Sequence, residues 1–135
     1  MASELRVNTL KDASGNNSIG MSYVAEGSAK AWSNYNQTTP TVNDSFNVSS
    51  VTDVSNGKHT VNFTSSMAST NYAAAVYVRR NSDGDNSGAY IGSNSSDTKT
   101  TSAMKFKTIY LDGGTLANGL TDYSENGHHF MGDLA

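Results

Sequence analysis

SFNVSSVTDVSNGKHTVNFT, residues 45–64, carries two strand patterns around one turn. From Thr60 to Thr64 polar and apolar residues alternate, which puts Val61 and Phe63 on one face of a strand. In the segment Ser45 to Val51, Phe46 and Val48 share a face in the same way. Between the two lies Asp53 to Lys58, whose Asn56-Gly57 dipeptide suits the left-handed backbone of a tight hairpin turn. The stretch therefore predicts an antiparallel pair.

The same period continues outward. Tyr72 to Val78 groups Ala74, Val76 and Val78. Residues 103–111 set Met104, Phe106 and Tyr110 against Lys105 and Lys107, the mark of a strand with one wet face. Asn81 to Gly88 reads as a polar loop around Asp83-Gly84, and Asp112-Gly113-Gly114 ends the strand before it. The single proline, Pro40, and twelve glycines leave no room for a long helix. Residues 24–32 could hold a helical turn, weakened by Gly27. The expected fold is all-β, an antiparallel β-sandwich or open barrel. Residues 1–30 are poor in apolar side chains and are expected to form an extended attachment or oligomerisation segment, with Leu5, Val7 and Leu10 as assembly residues. Residues 31–135 would be the β-domain, with 112–135 a variable, Gly-rich tip or tail.

Composition narrows the function classes. The chain has 135 residues, enough for one domain with a modest core. Only 16% are charged, and 20 Ser, 14 Thr and 15 Asn take up the difference. Seven Tyr, four Phe and one Trp argue against disorder. A net charge of −3 gives no electrostatic case for nucleic acid or anionic membrane. There is no cysteine, hence no thiolate chemistry. No stretch approaches the roughly 18 apolar residues of a membrane span. The opening MASELR lacks the basic-then-apolar order of a signal peptide, so folding in a cytoplasm is expected.

Several segments carry familiar wording. MASELRVNTLKDASGNNS at the start, AKAWSNYN (29–36) and DSFNVSSVTDVSNGKHTVNFTSSMASTNYA (44–73) resemble the small fibre-like appendage proteins of marine tailed phages of the cyanobacterial type. The resemblance covers roughly the first 80 residues. It departs at Ser33, where those proteins carry a more apolar residue, and at Asn43, where they often carry a basic one. It implies a virion structural protein made in the host cytoplasm. Such a protein would be a homotrimer that holds to other virion proteins, as a tail-fibre or capsid-attached module. Binding without catalysis is the implied mode, with host surface glycan as a partner. A capsid decoration or stabilising protein is the first alternative, and a carbohydrate-active enzyme the second.

Candidate sites follow from residue types. Tyr90 and Tyr123, in Gly/Ser/Asn-rich surroundings, are candidate receptor contacts, with Arg79 and Arg80 beside them for acidic glycan. Trp32, Tyr35, Tyr77 and Tyr110 extend the set of aromatics that could stack on sugar, although most are expected in the core or at a subunit interface. His128-His129 could offer one imidazole per chain to a metal on a trimer axis. Two solvated or hydrogen-bonded histidines are the plainer reading. Asp83 to Gly88 resembles half a calcium loop but has Asn94 where a bidentate Glu belongs, so a polar turn is preferred. Asp122, Glu125 and Asp133 could pair for glycoside hydrolysis, yet they sit among turn residues. No nucleophile elbow or phosphate-binding frame occurs. No catalytic residue, metal or cofactor is assigned, and an enzyme is not expected.

Overall fold

A computed structural model describes residues 6–79, 87–90, 99–112 and 115–135. In chain order the elements are β1 (Thr9–Lys11), β2 (Ser18–Gly20), α1 (Met21–Gly27), β3 (Ala29–Asn36), β4 (Thr41–Phe46), β5 (Val48–Ser55), β6 (Lys58–Phe63), β7 (Ala73–Arg79), β8 (Ser87–Tyr90), β9 (Ala103–Asp112), β10 (Thr115–Leu120) and β11 (Glu125–Met131). Among the described residues the fold is all-β apart from one short helix, as the alternating pattern predicts.

Two antiparallel sheets face each other. One has the order β4-β3-β11-β7. The other runs β10-β9-β6-β5, with β8 also paired to β9. Alternation decides what lies between them. Ala31, Ser33 and Tyr35 of β3 are buried, as are Asn126, His128 and Phe130 of β11. His59, Val61 and Phe63 of β6 meet Met104, Phe106 and Thr108 of β9 on the inner face of the second sheet. Phe63, Tyr72, Phe106 and Phe130 pack ring edge to ring face, with centroids 4.8–6.0 Å apart. Each such ring contributes about 1.5–3 kcal/mol by burial.

The hairpin read from residues 51–64 forms, with Val51 opposite Val61 and Thr52 opposite Thr60. Gly57 takes φ +63°. A Cβ there would sit 2.5 Å from the Thr108 carbonyl oxygen and from the Thr121 nitrogen. The turn is also docked: Gly57 N–H donates to Asp122 Oδ1 at 2.6 Å, and Asn56 Nδ2 donates to the Leu120 carbonyl at 2.6 Å.

Three expectations need correction. Ser45 to Val51 is not one strand. The chain turns a corner at Asn47, φ 52°, and leaves one sheet for the other. Phe46 consequently faces outward while Val48 packs against the core. Asn tolerates this left-handed backbone, and its side chain holds the corner. Its Nδ2 donates to the carbonyls of Lys30 (3.0 Å) and Ser65 (3.1 Å), and its Oδ1 accepts from Ser65 N–H (2.7 Å). The N-terminal segment is not simply extended either; it folds into the β1–β2 hairpin and seven-residue α1, which ends at Gly27. Within the proposed tip, β11 is a central strand, paired with β3 on one side and β7 on the other. Gly127 made that stretch look loose. In the sheet, the Tyr77 ring covers Gly127 and takes the space of its absent Cβ.

Candidate functional site

Two arrangements of polar and aromatic side chains stand out. One lies between the sheets, the other on the outer face of β4-β3-β11-β7.

Between the sheets, His59 of β6 and His128 of β11 meet with Nε2 atoms 2.8 Å apart, both fully buried. Gln37 Oε1 lies 3.1 Å from His59 Nδ1, and Ser33 Oγ lies 3.0 Å from His128 Nδ1. In a neutral pair one ring donates its Nε2–H to the Nε2 of the other, and Gln37 and Ser33 meet the two Nδ1 atoms. Burial pushes His59 down to about 4. Burial, with His59 as a second cause, pushes His128 down to about 3. Both rings are therefore neutral near pH 7. Phe106 packs on both rings, and Tyr35 on His59. The buried atoms Tyr35 OH, Gln37 Nε2 and Asn126 Oδ1 have no partner among the described residues. Such groups in folded proteins are commonly met by ordered water.

The trimer-axis metal idea fails for His128, because its two ring nitrogens are engaged inside one chain. His129 points to the exposed side. Among the described residues no group of three or more His, Cys, Asp or Glu could hold a metal.

On the outer face, Trp32 of β3 stands opposite Phe46 of β4 and His129 of β11. Phe46 is 54% exposed. The next row holds Asp44, Asn34 and Tyr77 over Gly127. Tyr77 is 47% exposed, and its position is held: the hydroxyl donates to Glu125 Oε1 at 3.0 Å, and Glu125 Oε2 pairs with Arg79 at 3.2 Å. That hydrogen bond to the carboxylate raises the Tyr77 phenol above its usual value. Asn43 Nδ2 donates to Asn34 Oδ1 at 2.9 Å. The other sheet presents a different outer face: Ser50, Thr52, Thr60, Asn62, Lys58, Lys105 and Lys107.

The expected contact residues separate. Tyr123 is 2% exposed, and its hydroxyl donates to the Ile109 carbonyl at 2.9 Å, so it is a core residue and not a receptor contact. It is buried because β10 leads directly into β11, a central strand, at this point. Tyr35 is buried too. Arg79 is exposed, but its charge is matched by Glu125. Tyr90 has only its strand position, opposite Lys107, and Tyr110 is paired with Ser87. Arg80, Leu5 and the calcium-like run 83–88 with Asn94 lie wholly or mainly outside the described residues. Val7 and Leu10 are exposed on the N-terminal arm. Glu125 and Asp133 do not converge: Glu125 opens β11 and Asp133 follows its end, roughly 20 Å or more away along the strand. That exceeds the separation of a hydrolytic pair. Asp122 is tied to the Gly57 turn.

His59 was not singled out from sequence. Strand parity with Val61 and Phe63 places it inward, and that was the available signal. Ser33, polar at an inward position of β3, meets His128 there. No family model, curated protein or solved structure matches the chain. Among the described residues no helix is long and apolar enough to cross a membrane.

Proposed function

We propose that this chain is a non-catalytic structural module of a phage particle, a tail-fibre or fibre-like appendage piece. It assembles as a homotrimer and holds to a neighbouring virion protein through its N-terminal arm. The observation that supports this reading is the contrast between arm and body. The sandwich has its own core. The β1–β2 hairpin and α1 have none: every residue of β1 is exposed, α1 buries nothing, and Tyr23 is 74% exposed. Leu10 and Ile19 are cross-strand partners on the hairpin and both are exposed apolar residues. An isolated two-stranded hairpin is marginal in water, so this unit gains stability by burial against another surface.

Light scattering on the full chain and on a chain starting at residue 30 tests the proposal. The expected result is a trimer that reverts to a monomeric sandwich when the arm is removed. A stable monomer in both cases, with no uptake onto particles lacking the protein, would contradict it.

A further inference from the structure

We infer that the outer face of the β4-β3-β11-β7 sheet is a binding platform for a neutral oligosaccharide of pyranose sugars. The inference concerns a different face from the arm and does not depend on how the arm attaches.

Exposed rings are usually a cost, and here Phe46 and Tyr77 are exposed on one face with the half-buried Trp32 beside Phe46. Trp32 and Phe46 form a cross-strand pair, and Tyr77 lies two strands and two residues from Trp32. By strand spacing and rise the two aromatic positions are roughly 12 Å apart, the reach of a short oligosaccharide. Tyr77 is held for such a role. Gly127 lets the ring lie against the strand, and Glu125, itself paired with Arg79, holds the hydroxyl. A fixed ring loses little conformational freedom on binding. Its face presents π-density to the C–H face of a pyranose ring.

The polar groups between the rings suit hydroxyls. Asn34, Asn43, Asp44 and His129 lie on or beside the rows that connect them. Amide groups donate to and accept from vicinal hydroxyls, and a carboxylate accepts from them. Charge argues for a neutral ligand. The guanidinium that would greet an acidic sugar is already matched by Glu125, and Asp44 repels anions.

A second copy of this chain fits less well. A four-stranded face of this length covers about 400 Å², roughly half of what each partner buries in a stable protein interface. On the opposite sheet the described outward residues of β5, β6 and β9 include Ser50, Thr52, Thr60, Asn62, Lys58, Lys105 and Lys107, a more polar and more basic set.

Trp32 is the only tryptophan in the chain, so the platform contains its own reporter. The experiment follows Trp32 emission in the full chain during titration with soluble glucan, mannan and galactan. A uronate-rich polysaccharide serves as the acidic comparison. The expected result is a saturable emission change with at least one neutral polymer. Binding should weaken by about tenfold or more in Phe46→Ala and in Tyr77→Ala. Tyr77→Phe, which keeps the ring, should fall between, and Lys105→Ala on the opposite sheet should bind as the parent does. Circular dichroism establishes that each variant is folded.

No response to any neutral polymer, or a response to the acidic polymer alone, would overturn the inference. So would Phe46→Ala and Tyr77→Ala chains that bind as the parent does. An emission change that tracks protein concentration without sugar would overturn it in favour of an interface between copies.

Discussion

Asn47 does two things that few residues can do together. It accepts a left-handed backbone, and it satisfies three backbone groups from two other segments. Asn47→Ala keeps neither, and should cost about 2–4 kcal/mol in a denaturant titration. Asn47→Gly restores the backbone freedom but not the hydrogen bonds, so its loss should be smaller. At Gly57 the conflict is with backbone atoms, which cannot rotate away. Gly57→Ala should cost about 2 kcal/mol or more by the same measurement, and should disturb the amide resonances of Thr108 and Thr121 first. The turn at Asn56-Gly57 was legible because its chemistry is local. The corner at Asn47 was not. Phe46 and Val48 satisfy the period of a single strand equally well, and only the partners supplied by Lys30 and Ser65 distinguish a bend from a straight run.

Among the elements, β11 departs furthest from its sequence appearance. ENGHHFM has glycine, two histidines and only two large apolar residues, of which Phe130 alone points inward, yet it occupies a central position. Its inward side chains, Asn126, His128 and Phe130, are all fully buried. Phe130→Ala should cost about 3–5 kcal/mol in chemical unfolding. The strands with an ordinary apolar face, β6, β7 and the first part of β9, were readable from alternation alone. For β11 the apolar signal is weak because two of three inward positions are polar and find their partners only in the assembled sandwich: the carbonyls of Tyr35 and Tyr123 for Asn126, and Ser33 and His59 for His128. The candidate platform was partly legible. Trp32 and Tyr77 belong to the set of aromatics that could stack on sugar, but alternation puts Phe46 on one face with Val48, and the surroundings of Tyr123 read as exposed. Parity within each strand was not enough until the corner and the central strand were known.

At the scale of the whole molecule, the buried imidazole pair joins one sheet to the other and makes the fold sensitive to acid. The groups against the pair are Ser33 and Tyr35 of β3, Gln37, and Phe106 of β9, with His129 the next residue along β11. Among the described contacts of the pair no carboxylate offsets a proton. Both folded values, about 4 and about 3, lie below the 6.5 of a free histidine, so the unfolded chain takes up protons first. The stability from the neutral pair is complete above about pH 6.5 and is lost as pH falls through 6.5 toward 4 and then 3. A tenfold difference in proton affinity is worth about 1.4 kcal/mol. The sum over two rings is thus a sizeable part of a small domain's stability. Thermal melts from pH 8 to pH 3.5 should show a steep fall in Tm that begins near 6.5. A double variant, His59→Leu with His128→Leu, should flatten that fall. An unchanged slope in the double variant would mean that other groups govern the acid response.

The position of β11 also has a consequence for biosynthesis. The strand lies between β3 and β7 but is translated after both, about ninety residues later than its β3 partners, as in Asn126 opposite Tyr35. While the ribosome is still short of Met131, β3 and β7 each keep an open edge, and the first sheet cannot close. Folding of the sandwich is therefore completed late, and pairing over such separations is slow. During that interval a growing chain offers two unpaired edges to its neighbours on the same message. A β11 strand delivered by another copy would fit the gap as well as the chain's own.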